Sequence, residues 1–340
     1  MGVTLNGAVP ESIFTGAIVG GKNAIINGGM DIWQRGTSIS VPASTTVYVA
    51  DRWQVNPGAN AANTVARIAT GDTTNLPNIQ YGIRVQRNSG QTGTTTEYLA
   101  QALETTNSIP FAGKQVTLSF YARAGANFSS GSNILISAVN TGTGTDQAMF
   151  SFSGQISTPQ NNTLTTTWQR FTQTLTIPTT ATQLGIAIGF TPTGTAGAND
   201  YFEITGIQLE LGSTATTFSR AGGTLQGELA ACQRYYQTAG AGAFGAFDGN
   251  STTLAIVEKL SVPMRANPSV AVISGISAVF RSNGNDFTNS SPVIANLSVT
   301  GNSSFWTQVQ GFTGGTTGYP VYSRNASSFS GAFLSVSAEL

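Results

Sequence analysis

The sequence predicts an all-β protein in which two β domains are joined by one short helix. Short runs of β-branched and aromatic residues alternate with clusters of Gly, Asn, Thr and Pro along most of the chain, a pattern typical of sandwiches and barrels built from many short strands. Only residues 222–238 carry a helical period. The length of 340 residues is sufficient for two domains with hydrophobic cores.

The first segment, residues 1–24, has no clear period and contains the apolar run 13–19. An apolar run on a terminus favours contact with a partner surface, so we predict an N-terminal arm that docks on another protein. An alternative of equal weight is a first strand folded onto its own domain.

The second segment, residues 25–221, is predicted to be a single large β domain. In residues 116–123 the apolar side chains Val116, Leu118 and Phe120 alternate with polar ones, which indicates a strand with one buried face. The strands predicted in this domain are 45–49, 64–68, 81–86, 97–103, 115–122, 133–139, 148–152, 169–177, 183–190 and 201–211.

A helical connector is predicted at residues 222–238, after the Gly222-Gly223 break. Four residues spaced by 4, 3 and 4 positions would lie on one stripe of a helix. A helix of about fifteen residues is marginal alone, so this stripe must pack on its own domains or on symmetry copies, as a dimer or a trimer. The predicted interface residues are Leu225, Leu229, Cys232 and Tyr236.

The last segment, residues 239–340, is predicted to be a smaller β-sandwich with strands at 252–257, 269–273, 278–281, 293–299, 305–310, 320–324 and 332–336. Its Gly- and Asn-rich loops contain or adjoin aromatic and charged residues. Aromatic faces with amides and a few charges suit saccharides, which present both C–H faces and hydroxyls. Packing against a neighbouring subunit is the competing interpretation. The candidate glycan-binding residues are Trp306, Tyr319, Tyr322, Arg324 and Asp286.

Composition and charge exclude several functions. The 15 basic and 15 acidic residues balance, which argues against a nucleic-acid partner because phosphates need a basic face. No apolar run is long enough to span a membrane. The single cysteine, Cys232, excludes an internal disulfide and is expected to be a small buried apolar residue, so synthesis in a reducing cytoplasm is predicted. Histidine is absent, which removes the commonest general base and zinc ligand.

An ordered set of motifs resembles bacteriophage virion proteins, commonly tail fibres or tail-associated proteins. The motifs are residues 27–38 (NGGMDIWQRGTS), 50–53 (ADRW), 112–114 (AGK), 118–123 (LSFYAR), 207–216 (IQLELGSTAT) with Phe218 and Arg220, and 228–229 with 232–236 (CQRYY). The resemblance implies a jelly-roll β-sandwich similar to carbohydrate-binding modules, then a short helix and a variable C-terminal β-domain. It also implies a homotrimer exposed on the virion surface, attached to other virion proteins through residues 1–24.

A weaker resemblance runs to carbohydrate-binding jelly rolls that hold a structural Ca²⁺ with acids on the first and last strands. The first strand here keeps an acid, Asp31, but the last has Ile204-Thr205-Gly206-Ile207 and loses the acid pair. Because Ca²⁺ requires six to eight oxygen ligands, no metal and no other cofactor is predicted.

The remaining candidate residues are assigned structural roles. Trp33, Trp53 and Trp168 are predicted to pack in the core or an interface rather than stack on sugars. Gln34-Arg35 and Asp51-Arg52 are predicted to form an ion-pair network. Glu203 and Glu210 are an odd number of positions apart, so an uninterrupted strand would place them on opposite faces, and no catalytic residue is predicted.

The sequence therefore predicts a non-enzymatic phage virion structural protein, first as a tail fibre or receptor-binding protein recognising host surface glycan. The alternative is a capsid-surface cement or decoration protein, which the short N-terminal segment favours. A glycan-cleaving enzyme is the third hypothesis, disfavoured by the absence of histidine and of paired acids.

Overall fold

A computed structural model of the chain describes residues 21–340 apart from 60–61, 77, 241–243, 249–251, 274–277, 283–284, 290–291, 300, 314–319 and 324–331. The predicted N-terminal arm lies outside the described residues except for its last four positions. The chain divides into two compact units, Met1–Glu228 with Leu340 and Leu229–Glu339.

The described part of unit 1 contains strands, the single-turn helix α1 (Thr105–Ser108), two short 3₁₀ segments (Ile109–Phe111 and Gly131–Asn133) and the start of a second helix. Its strands are β1 (Ser38–Val41), β2 (Val47–Tyr48), β3 (Gln54–Asn56), β4 (Asn63–Ala69), β5 (Tyr81–Arg87), β6 (Glu97–Ala102), β7 (Gln115–Ala124), β8 (Ile134–Gly142), β9 (Ile156–Thr163), β10 (Gln169–Thr176), β11 (Gln183–Phe190) and β12 (Tyr201–Leu211).

These strands form two six-stranded antiparallel sheets, ordered β1-β4-β5-β12-β7-β10 and β2-β3-β6-β11-β8-β9. Alternate apolar residues of both sheets point inward and meet in one core, in which Phe120, Ile204, Ile186 and Leu99 are fully buried. The predicted β-sandwich is confirmed, because each inner face is apolar and buries against the other.

Residues 148–152 were expected to form a strand, and this prediction is wrong. They form a loop in which Met149 and Phe152 are buried against Ala100, Ala102 and Ala187. The apolar residues that suggested a strand instead cover the outer side of β6 and β11, where alanines leave room for them. Apolar runs of this length do not distinguish a strand from a packed loop.

The helix α2 spans Leu225–Gln233 and is shorter than the predicted connector 222–238. Glu228 fixes the segment that leads into α2, because its carboxylate accepts hydrogen bonds from the backbone N–H groups of Gly222 and Asn27. Tyr236 begins a strand, so the prediction of a four-residue helical stripe is wrong at its last position. No helix within the described ranges is long and apolar enough to cross a membrane.

Unit 2 contains ten strands in the described part of the chain. They are β13 (Tyr236–Ala239), β14 (Phe244–Phe247), β15 (Thr253–Lys259), β16 (Ser269–Val272), β17 (Ala278–Ser282), β18 (Asn285–Asn289), β19 (Val293–Val299), β20 (Ser304–Gln310), β21 (Pro320–Ser323) and β22 (Leu334–Ser337). A three-stranded sheet, β13-β22-β16, and a seven-stranded sheet, β18-β17-β21-β14-β15-β20-β19, share a core that includes Leu334, Phe247, Ile256 and Phe305. The second, smaller sandwich is thereby confirmed.

Candidate functional site

The seven-stranded sheet of unit 2 brings several of the candidate residues into one row. Phe244 of β14 lies opposite Val257 of β15, and Val257 lies opposite Trp306 of β20. In the other direction the backbone register continues from Phe244 to Tyr322, then to Arg281 and Asp286. The six strands that this row crosses make it roughly 24 Å long at the usual strand spacing. We call Phe244, Val257 and Trp306 the platform.

The platform lies on the outer face of the sheet. Phe244 is 71 % exposed and Val257 is 61 % exposed, whereas Trp306 is half-buried. The residues that alternate with them, among them Ile256 and Phe305, are buried in the core. The platform is therefore an apolar patch on the outer face of a sheet whose inner face is covered by the core of unit 2.

Polar side chains border the platform on the next outward-facing row. Gln308 of β20 donates from Nε2 to Asp248 Oδ2 at 2.5 Å and accepts a hydrogen bond from the Asn296 amide. Amide and carboxylate groups beside an apolar ridge provide both donors and acceptors for hydroxyl groups. The arrangement therefore has the two features that saccharide recognition requires.

The predicted glycan-binding residues are placed unevenly. Trp306 lies on the platform, and the backbones of Tyr322 and Asp286 occupy its row. Tyr319 and Arg324 lie outside the described residues. Sequence reasoning missed Phe244 and Val257 as site residues. Val257 ends the predicted strand 252–257 but was not selected. Phe244 lies with Phe247 in a Gly- and Ala-rich stretch that gives no clear strand period. Only pairing with β15 and β21 shows its position.

The two N-terminal tryptophans are structural, as predicted. Trp53 is fully buried and donates from Nε1 to the Asn27 carbonyl at 3.0 Å, and Trp33 donates to the Met30 carbonyl at 2.8 Å. The buried Asp51 carboxylate accepts from the Gln34 backbone at 3.0 Å and lies 3.8 Å from Arg35. The NGGMDIWQRG and ADRW motifs thus bind each other, since a buried carboxylate requires several donors.

Trp168 also packs rather than presenting a free face. It is buried with Leu76 and Ile79 and donates from Nε1 to the Thr70 carbonyl at 3.2 Å.

Thr70, Leu76 and Ile79 also line an open cavity of about 490 Å³ that Arg220 borders. Arg220 there binds Asp31 through two hydrogen bonds of 2.7 and 3.1 Å. Asp31 was expected on the first strand but lies in the irregular segment before β1, and its charge is neutralised by this arginine.

Glu203 and Glu210 share one face of β12, so the expectation that they face opposite sides is wrong. The register against β7 shifts between Thr205 and Gln208, where Gly206 has φ +60°. A bulge adds one residue and inverts the alternation beyond it. The two acids are still roughly 20 Å apart along the strand, and Glu203 binds arginines whereas Glu210 binds Thr216 and Gln208. They form no catalytic pair.

A buried charge cluster lies at the end of the first sandwich. Arg87 donates from Nη1 to Asp200 Oδ2 at 2.8 Å and lies 3.5 Å from Glu97, and all three side chains are fully buried. Desolvation raises the pKa of Glu97 to about 8, against the lowering effects of its hydrogen bond from Asn63 and of the Arg87 charge. The cluster therefore holds one ion pair and, at neutral pH, a mostly protonated carboxyl group.

The predicted interface residues separate into two groups. Leu225 and Leu229 lie four positions apart on α2 and are 50 % and 36 % exposed. Cys232 and Tyr236 are buried within the chain. Only the two leucines are accessible for contact with another subunit, which leaves a much smaller helical surface than the predicted stripe.

Comparisons with known proteins give fold-level similarities only. No protein-family model matches the chain, and no curated protein does. Similar solved structures include a domain of tailspike protein 4 of bacteriophage CBA120, at 11 % identity and a TM-score of 0.33, covering 56 % of this chain and 21 % of that one. The xylan-binding CBM22-2 domain of Paenibacillus barcinonensis Xyn10C is 14 % identical, with a TM-score of 0.28 over 47 % of this chain and 92 % of that one.

A third similar structure is a CBM4 carbohydrate-binding module at 16 % identity and a TM-score of 0.30, covering 55 % of this chain and 98 % of that one. The chain spans about a fifth of the length of the tailspike structure. At these scores the β-sandwich assignment rests on the strand order and core of the chain itself.

Proposed function

We propose that this chain is a non-enzymatic structural protein of a phage virion and that it binds host surface glycan through the platform in unit 2. The observation that carries the glycan assignment is the exposed row of Phe244, Val257 and Trp306 bordered by Gln308, Asn296 and Asp248. The virion assignment is supported by the ordered sequence motifs described above. We place the protein first on a tail fibre.

The platform suits a saccharide for physical reasons. Sugar rings present flat C–H faces that gain free energy by covering an aromatic or aliphatic surface, because that surface then leaves water. Their hydroxyls require partners at the edge, since an unpaired polar group in an interface costs binding free energy. Gln308 can donate and accept, which matches a hydroxyl group.

The non-enzymatic part of the proposal rests on side-chain chemistry. The sequence contains no histidine, and the acids Glu203, Glu210, Asp31 and Asp200 all bind other side chains or backbone groups of the chain. Detectable release of reducing sugar from host polysaccharide would overturn this part.

Replacing Phe244 by alanine tests the platform. Because Phe244 is 71 % exposed, the change should leave folding intact and weaken glycan binding about tenfold, or ~1.4 kcal/mol. The measurement is binding of the full chain to an array of bacterial surface oligosaccharides. Leu211→Ala is the matched control, since Leu211 is also exposed, at 56 %, but belongs to unit 1.

Equal glycan binding by the wild-type chain and Phe244→Ala would contradict glycan binding by the platform. The same conclusion would follow if Leu211→Ala weakened glycan binding as much as Phe244→Ala does. The position in the virion needs a separate assay. If the full chain binds empty capsids and raises their melting temperature, but does not adsorb to host cells, the cement-protein alternative replaces the tail fibre.

We also propose assembly as a homotrimer through Leu225 and Leu229 of α2. The variant Leu229→Asp places a carboxylate beside Leu225 and is expected to convert trimer to folded monomer, since a charge cannot be buried in an apolar contact without a partner. Analytical ultracentrifugation at micromolar concentration measures this. Leu211→Asp is the control, and a wild-type chain that sediments as a monomer contradicts the proposal.

A further inference from the structure

The outer face of the first sheet of unit 1 carries a second surface with different chemistry. Arg84 of β5, Glu203 of β12 and Arg123 of β7 lie directly opposite one another in register. The two arginine side chains are 32 % and 29 % exposed, while the Glu203 carboxylate between them is fully covered. Solvent therefore meets the guanidinium groups and not the acid.

The two guanidinium groups share a single carboxylate. Arg84 donates to Glu203 Oε1 from Nε at 2.8 Å and from Nη2 at 2.5 Å, and Arg123 donates from Nε to Oε2 at 2.5 Å. Two positive charges with one negative charge leave a surplus of one. Among the described residues, Nη1 of Arg84 and both Nη atoms of Arg123 bind no acceptor, so three nitrogens retain donors for a ligand.

Aromatic rings hold both arginines in place. The Arg84 guanidinium lies 3.9 Å from the Tyr201 ring centroid, and that of Arg123 lies 4.7 Å from the Trp168 centroid. Each guanidinium is thus fixed by a ring and by Glu203. A ligand that binds them loses less side-chain conformational entropy than one that binds mobile surface arginines.

The charges around this pair keep the surface positive. Arg170 lies in the neighbouring row over the Tyr121 ring, at 5.6 Å. Hydrogen bonds from Asn75 lower the pKa of the exposed Asp72 carboxylate, which is also near enough to Arg123 for that charge to help lower it. Arg170, Lys22 and Glu210 all bind Thr216. Four cations (Arg84, Arg123, Arg170 and Lys22) therefore lie against three carboxylates (Glu203, Glu210 and Asp72), which leaves one net positive charge in a chain whose total charge is zero.

We propose that Arg84 and Arg123 bind the carboxylate groups of an acidic polysaccharide. The guanidinium fork matches a carboxylate in geometry and charge, and a hydrogen bond between two charged groups is stronger than a neutral one. The choice of a polysaccharide rests on the proposed glycan-binding function, but the site is separate from the platform. The chain then binds apolar sugar faces with unit 2 and sugar acids with unit 1.

The test measures binding of the full chain to polygalacturonate and to neutral dextran. We expect binding to polygalacturonate alone, weakening at least tenfold between about 50 mM and about 300 mM salt because salt screens exposed charges. The variant Arg84→Gln/Glu203→Gln/Arg123→Gln replaces the charged trio by amides that can still bond one another, and should bind at least tenfold more weakly. Lys114→Gln, which alters net charge by the same amount at an exposed site, should bind as the wild type does.

Several outcomes would overturn the proposal. These are no preference for polygalacturonate over dextran, wild-type binding by the triple variant, or an equal loss in Lys114→Gln. Equal binding of polyglutamate would assign the site to acidic peptides, and displacement by inorganic phosphate as effective as that by galacturonate oligomers would make it a general anion site. If the triple variant fails to fold, Arg84→Gln replaces it, because Arg123 still pairs with Glu203.

Phe244→Ala separates this inference from the proposed function. If Phe244→Ala still binds polygalacturonate and the triple variant does not, the arginine site is supported even if the platform does not bind glycan. If both variants lose polygalacturonate binding equally, the arginine site is not a separate site and the inference fails.

Discussion

The Arg87→Met variant is expected to unfold with a free energy about 3–5 kcal/mol below that of the wild-type chain. Arg87 is fully buried, and its Nη1 donates to Asp200 while its Nη2 donates to the carbonyls of Gln91 and Gly93. Methionine fills part of the same space but leaves Asp200 as an uncompensated buried charge, and it leaves the carbonyls of Gln91, Gly93 and Gly194 without their donor. Denaturant unfolding followed by tryptophan fluorescence measures the difference.

Two further variants identify the cause of that loss. Asp200→Asn combined with Arg87→Met removes the unpaired charge and should recover part of the lost stability. Arg67→Met removes an arginine of β4, in the same sheet, that stacks on Tyr81 at 4.4 Å, and should cost no more than about 1 kcal/mol. A similar loss of unfolding free energy in Arg67→Met and Arg87→Met would mean that the buried ion pair stabilises the fold no more than the Arg67 stacking contact does.

The stability of the first sandwich is expected to fall as pH rises from about 5 to about 8. Burial raises the pKa of Glu97 from 4.5 to about 8, so the folded chain binds more protons than the unfolded chain in that interval. The contribution is complete below the unfolded pKa and is lost as pH rises through the folded one. The full rise in pKa corresponds to a loss of at most about 5 kcal/mol.

Glu97→Gln should flatten this dependence, because an amide keeps the hydrogen bond with Asn63 and cannot ionise. The measurement is the unfolding free energy of both proteins at several pH values between about 5 and about 9. Burial also raises the pKa of Glu228 and Glu258, and each contributes to the slope with the same sign. Glu258→Gln is the comparison and should remove a smaller part of the slope than Glu97→Gln does. A wild-type slope that persists in Glu97→Gln would refute the assignment.

The strands with a clear apolar alternation were predictable from the sequence. The 201–211 prediction matches β12, and 183–190 matches β11, because large apolar residues alternate with small or polar ones along much of both strands. Strand β9 was missed, since ISTPQNNT is mostly polar and exposed, and it forms only because β8 offers it a paired edge. Strand β14 was missed because its Gly and Ala residues have weak strand preference.

Site prediction was limited by the same lack of long-range information. Trp306 and Tyr322 were selected for their side-chain chemistry, but nothing local indicates that they share a row with Phe244 and Val257. The arginine pair was missed entirely. Arg84, Arg123 and Glu203 lie far apart in sequence, and their proximity follows only from the pairing of β5, β12 and β7.

The sequence by itself determined the all-β class, the two sandwiches and the structural roles of Trp33 and Trp53, because alternation and composition are local properties of the chain. Tertiary structure alone decided the end of α2 and the faces of Glu203 and Glu210. It also decided which exposed residues lie beside one another on the surface. The end of α2 depends on the pairing of Tyr236 with β22. The face on which Glu210 lies depends on the bulge at Gly206. The exposed neighbours depend on strand register, which brings together residues that are distant along the chain.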